Sequence, residues 1–141
     1  MLKTSQINYL LTNHPNYLGT FASNCLPPIT QIPCSMIVNT APDTHIGDHW
    51  TAIMMTTGGI MYFDSFGLPI IELDIYDYVK NYCAELVYNK TCIQHINSNY
   101  CGIFCIAFIK HVNCLDDFIM FVKRFSSTDL KLNDRIVMEL L

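Results

Sequence analysis

Four side chains carry chemistry when read together: His49, Asp64, Gln94 and Cys101. Cys101 follows the polar stretch Gln94-His95-Ile96-Asn97-Ser98-Asn99 and opens the most apolar helical segment of the chain, residues 100–112. The unpaired N–H groups and macrodipole of a helix N-terminus favour an anion. A cysteine placed there is shifted from thiol toward thiolate, the nucleophilic form. Gly102 leaves space around the sulfur. Taken alone, a free cysteine at a helix start is more often a small buried hydrophobe.

His49 and Asp64 flank a hairpin signal, in which the apolar runs 50–55 and 60–64 enclose Thr56-Thr57-Gly58-Gly59. A turn of two or four residues sets odd positions of the first strand against even positions of the second. His49 and Asp64 then share a face as diagonal neighbours, ~7–8 Å apart before their side chains reach toward each other. An Asp so placed orients an imidazole and stabilises its charged form. A three-residue turn puts the two on opposite faces, and a solvated surface pair is the other reading of their types. Gln94 lies seven positions before Cys101. Its amide N–H can supply one oxyanion donor and the Cys101 backbone N–H another, whereas a lone loop glutamine is usually just solvated. Trp50 either walls one side of the approach to the thiol or belongs to the core. The composite of nucleophile, base, orienting acid and oxyanion donor says more than any member.

The elements that must position these groups are legible in outline. Residues 4–13, with Ile7, Leu10 and Leu11 on one side, read as a short amphipathic helix. A Pro-punctuated stretch follows, then a strand over 35–40 and the hairpin. Residues 72–83 read as a helix and 85–88 as a strand. The segment 100–112 is apolar on nearly every side apart from Lys110 and His111, which predicts a buried central helix. Helices over 115–125 and 129–141 complete the chain, the second with Ser127 or Thr128 as N-cap. The predicted fold is α+β: a small central mixed or antiparallel sheet flanked by helices, in one domain spanning 1–141.

Composition bounds the function. With 51% apolar and 14% charged residues, the chain reads as a core-heavy module. Its longest apolar run, 103–109, falls far short of the ~20 residues of a membrane-spanning helix, and residues 1–14 do not read as a secretory signal. A soluble, intracellular protein is expected. Seven cysteines form an odd set without paired CxxC spacing, against a disulfide framework or zinc ribbon. The net charge is −4, and only Lys123-Arg124 are adjacent among eight basic residues, so no nucleic-acid footprint emerges.

The stretches Gly47-Asp48-His49-Trp50, Tyr62-Phe63-Asp64-Ser65-Phe66-Gly67, and Gln94 followed by Asn99-Tyr100-Cys101-Gly102-Ile103-Phe104-Cys105 resemble the adenovirus protease (adenain) family of cysteine endopeptidases. That family lies in the larger group containing SUMO and ubiquitin-like proteases. The order His, acid, Gln, Cys is that group's signature and reverses the Cys-before-His order of papain-like enzymes. Tyr17-Leu18-Gly19-Thr20-Phe21, Ile37-Val38-Asn39-Thr40-Ala41 and the seven-residue step from Gln94 to Cys101 are similar to the adenain branch in particular. The resemblance runs from about Tyr17 to Val112.

It implies an adenain-like fold, catalytic His49, Asp64, Gln94 and Cys101, substrate contact at Trp50 and Gly102, and virion precursor proteins cut near glycine in the virion or host cell interior. Three departures limit the carry-over. Asp64 stands where adenoviral enzymes usually have Glu. Forty residues follow Cys101, so much of the adenoviral C-terminal region is expected to be missing. Adenoviral relatives are stimulated by DNA and by a short viral peptide able to form a disulfide, for which Cys83 or Cys92 would be the candidate here. The expectation is a monomer with no required cofactor, open to an activating peptide, with weak or no DNA dependence. Processing of SUMO or ubiquitin tails is the alternative enzyme reading. The non-catalytic one is a metal-binding or scaffold module using Cys83, Cys92, His95, Cys105, His111 and Cys114, in which only Cys101-x3-Cys105 approaches zinc-ligand spacing.

Overall fold

The computed structural model describes residues 1–82 and 85–141. Among these the order is α1 (Thr4–Leu10), β1 (Tyr17–Phe21), β2 (Cys34–Asn39), β3 (Trp50–Thr56), β4 (Gly59–Phe63), α2 (Leu73–Lys80), β5 (Leu86–Tyr88), α3 (Cys101–His111), α4 (Leu115–Lys123) and α5 (Leu130–Met138). The strands form one sheet in sequence order. The pairs β2–β3 and β3–β4 are antiparallel, while edge strands β1 and β5 join parallel, so the sheet is mixed, as expected for this α+β chain.

Side chains alternate across the pleat and give the sheet two apolar faces. Ile37, Ala52, Met54, Met61 and Phe63 meet α3 together with α1, α4 and α5. Met36, Val38, Ile53, Met55, Ile60 and Tyr62 meet α2 through Ile75 and Val79. Helix α3 is enclosed on nearly all sides, which is why its sequence lacks a polar face. Its Phe108 stacks on Phe63 with centroids 5.0 Å apart, and Phe118 and Phe121 of α4 close the cluster edge-on. This packing fixes the start of α3, and Cys101 with it, over the sheet.

The structure departs from the sequence reading in one strand and at several helix ends; α4 and α5, expected to reach 125 and 141, stop at Lys123 and Met138. Strand β1 carries no strand signal in the sequence, because Gly19 interrupts its apolar pattern; that glycine sits at φ +138°, where the register with β2 shifts. Helix α1 ends at Leu10 instead of 13. The N-cap of α5 is Asp129, which accepts from the Leu132 N–H, so neither Ser127 nor Thr128 caps it. The helix expected over 72–83 forms as Leu73–Lys80, and Cys83 lies outside the described residues.

Helix α5 also tethers the loop before α3. The fully buried Asn133 donates to the Ile93 and Ser126 carbonyls, both at 2.8 Å, and accepts from the Ser126 N–H. Leaving such buried groups unpaired costs about 1–3 kcal/mol each. The neighbouring Asp134 accepts from the Ser98 hydroxyl at 2.8 Å.

Candidate active site

The hairpin turn is the two-residue one, Thr57-Gly58, with Thr56 paired to Gly59 and Ala52 to Phe63. Continued past the ladder, this register sets His49 opposite Phe66 and diagonal to Asp64. Both relations are realised in the side chains. His49 Nε2 donates to Asp64 Oδ1 at 2.7 Å, and the imidazole stacks on Phe66 at 4.8 Å between centroids.

Asp64 is held as firmly as it holds. Its Oδ1 also accepts from the Phe66 N–H at 2.8 Å, its own N–H donates to Asn89 Oδ1, and its carbonyl accepts from Asn89 Nδ2 and from the Gly67 N–H. The tight turn over 64–67 depends on Gly67, at φ +74°. A Cβ there would lie 2.6 Å from the Thr91 carbonyl carbon and 2.7 Å from the Cys92 nitrogen, so only glycine fits.

With Nε2 committed to Asp64, Nδ1 is the ring nitrogen left for the thiol. Burial resists ionisation of Cys101. It is outweighed by the His49 hydrogen bond, the Trp50 main-chain N–H, the imidazolium charge and the Gly102 N–H, and the thiol is held below its ordinary value. Burial likewise opposes charge on His49, but Asp64 and Cys101 carry its pKa up to about 9. Each charge therefore sustains the other. A thiolate–imidazolium pair spans the window from the lowered Cys101 value to about pH 9. One turn on, Cys105 is fully buried, and desolvation pushes its thiol well up.

Gln94, 1% exposed, lies in the loop feeding α3. Its N–H and that of Ile93 both donate to the Ser65 carbonyl, at 3.0 and 2.9 Å. The side-chain Nε2 donates to the Ser98 carbonyl at 2.8 Å, and Oε1 pairs with the Ser65 hydroxyl. An amide NH₂ has two hydrogens, so one remains for a further acceptor. Ser98 Oγ in turn accepts from the Tyr100 N–H, immediately before Cys101.

Trp50 is 5% exposed within the core cluster, and its indole N–H donates to the Leu2 carbonyl at 2.9 Å. A Cβ on Gly102 would come 3.2 Å from Trp50 Cδ1 and 3.3 Å from Leu2 Cβ. The missing side chain at 102 thus lets Trp50 and Leu2 pack down on the start of α3. The roles of Ser65, Phe66, Asn89, Ser98, Leu2 and the Trp50 main-chain N–H emerge only from the tertiary structure. The Asp-Ser-Phe-Gly run was the one available signal for the first two. Among the described residues no group of three or more His, Cys, Asp or Glu side chains gathers as a metal site, and no helix is long and apolar enough to cross a membrane. The six described cysteines are free.

The electrostatics predict a selective reaction. Iodoacetamide near neutral pH is expected to label Cys101 first, although Cys25 and Cys114 are exposed. The rate should persist below the pH at which an ordinary cysteine falls silent, because the thiolate survives there. Peptide mapping by mass spectrometry reads the order; early labelling elsewhere with Cys101 untouched would remove it as nucleophile.

Fold and site together define an α+β chain that opens its central helix on an ionisable thiol beside a His-Asp pair. By overall sequence it is similar to the protease of porcine adenovirus A serotype 3, with 31% identity over 113 residues covering 67% of this chain and 55% of that protein. The chain thus spans about half the length of the curated relative it matches. The resemblance to the adenovirus protease family is borne out by this similarity. No family model matches the chain. Among solved structures, AvrA delL154 with IP6 and CoA superposes with a TM-score of 0.47 at 15% identity, covering 98% of this chain and 53% of that one.

Proposed function

We propose that the chain is a cysteine endopeptidase in which Cys101 attacks, His49 shuttles the proton, Asp64 orients His49, and Gln94 with the Cys101 N–H receives the oxyanion. The observation that carries this reading is the His49–Asp64 bond of 2.7 Å beside a Cys101 thiol held low at a helix start. The thiolate adds to the scissile carbonyl carbon, forming a C–S bond and a tetrahedral oxyanion. The C–N bond then breaks as imidazolium His49 gives its proton to the leaving amine. A thioester remains. Water, deprotonated by neutral His49, attacks it, and collapse of the second tetrahedral species expels the thiolate and releases the carboxylic acid.

The similarity to an adenovirus protease supports protein substrates, and the motif resemblance supports virion precursors cut near glycine, in the virion or host cell interior. Neither cofactor nor metal enters these steps. Profiling against a peptide library in reducing buffer tests the reading: new termini clustered near glycine are expected, and their loss in Cys101→Ala ties them to this site. Cleavage confined to folded SUMO or ubiquitin tails would move the substrate to that class, and a chain inert on both overturns the protease reading. Duplex DNA should change the rate little. Affinity for a polyanion needs several cations on one face, and this chain has eight Lys and Arg in all. Large, salt-sensitive stimulation would reveal a patch formed by Lys123, Arg124, Lys131 and Arg135.

A further inference from the structure

Only one end of the Gln94 amide can stabilise an oxyanion, because Nε2 donates and Oε1 repels negative charge. The site must therefore choose between two nearly isosteric orientations. The Ser98 carbonyl accepts only, so it demands Nε2 on its side, and the bond is there at 2.8 Å. That choice leaves Oε1 in a setting where Gln94 is 1% and Ser65 0% exposed, and an acceptor buried without a donor is destabilised. The Ser65 hydroxyl is its partner. The Ser65 carbonyl takes the main-chain N–H groups of both Ile93 and Gln94, so residue 65 grips the oxyanion donor by backbone and side chain. Residue 64, one step earlier, grips the base.

We propose that Ser65 is a positioning residue: its hydroxyl holds the Gln94 amide so that the second Nε2 hydrogen is presented to the oxyanion, and the turn over 64–67 thereby sets the imidazole and the oxyanion donor in one rigid unit. The inference rests on the protease reading and adds to it a residue that never touches substrate.

The test is Ser65→Ala, Gln94→Ala and the double variant, assayed on a peptide that the wild-type chain cleaves, with iodoacetamide labelling of Cys101 in parallel. Ser65→Ala should lower kcat roughly tenfold, part of the ~10²–10³ that a lost oxyanion donor costs, with KM within about twofold. Labelling of Cys101 should keep its wild-type rate, because alkylation forms no oxyanion. In the Gln94→Ala background, Ser65→Ala should have no further effect on kcat, since the group it positions is gone. Wild-type kcat in Ser65→Ala, an undiminished effect in the Gln94→Ala background, or a parallel fall in labelling would each overturn the proposal while leaving the protease reading intact. Should Ser65→Ala fold poorly, Ser65→Cys, close in volume and a weaker donor, carries the same comparison. A wild-type chain that cleaves nothing would instead remove the protease reading, and this inference with it.

Discussion

Replacing Cys101 by alanine is expected to lower peptide cleavage by about 10⁶-fold, the scale on which removal of an enzymatic nucleophile silences a concerted triad. The reason is specific to this site. Burial opposes an anion at the sulfur, and the groups arranged to outweigh it are the imidazolium of His49 and the N–H groups of Trp50 and Gly102, at the open start of α3. None of these can replace the covalent step. Cys101→Ser should fare little better, because a hydroxyl titrates far above any thiol and the same field does not bring it to an alkoxide at neutral pH. Turnover on a cleavable peptide, with thermal unfolding as a check on folding, measures the effect. Retention of more than about a hundredth of wild-type activity in Cys101→Ala would place the nucleophile elsewhere.

Gln94→Ala should slow turnover by ~10²–10³-fold, with KM little changed, as for other oxyanion donors. The side chain is buried, its carbonyl end is anchored by Ser65, and one Nε2 hydrogen is spent on Ser98. In the proposed mechanism the remaining hydrogen meets its acceptor as negative charge develops on the substrate carbonyl, so its loss should fall on kcat. Because the thiolate–imidazolium pair does not involve Gln94, the pH profile should stay in place. Its alkaline limb should lie near pH 9, where His49 gives up its proton and can no longer protonate the leaving amine. An unchanged kcat would take Gln94 out of the mechanism, and a moved alkaline limb would show that the substitution disturbed His49.

Local chemistry made part of this architecture legible without coordinates. Nearly continuous apolar runs on either side of Thr56-Thr57-Gly58-Gly59 announced β3 and β4, because a pleated strand sends successive side chains to opposite faces and both faces here are covered. The apolar segment ending at Lys110 and His111 announced α3, since a helix without a polar face must be enclosed. Signals of that kind do not extend to β1, whose pattern Gly19 breaks, or to the cap of α5, which falls on Asp129 and not on the expected Ser127 or Thr128.

Residue types narrowed which side chains could form the site, because type limits chemistry and the start of a buried helix limits where a thiolate is stable, and the His, acid, Gln, Cys order of the motifs singled out the set. Tertiary structure alone decided the two-residue turn that sets His49 diagonal to Asp64, the imidazole nitrogen left for the thiol, the stacking of Phe66, the grip of Ser65 on Gln94 and the packing of Leu2 over Trp50. The physical reason is distance along the chain. Ser65 and Gln94 are 29 positions apart and Leu2 and Trp50 are 48 apart, so their contacts follow from how whole elements pack and leave no periodic trace in the residues between them.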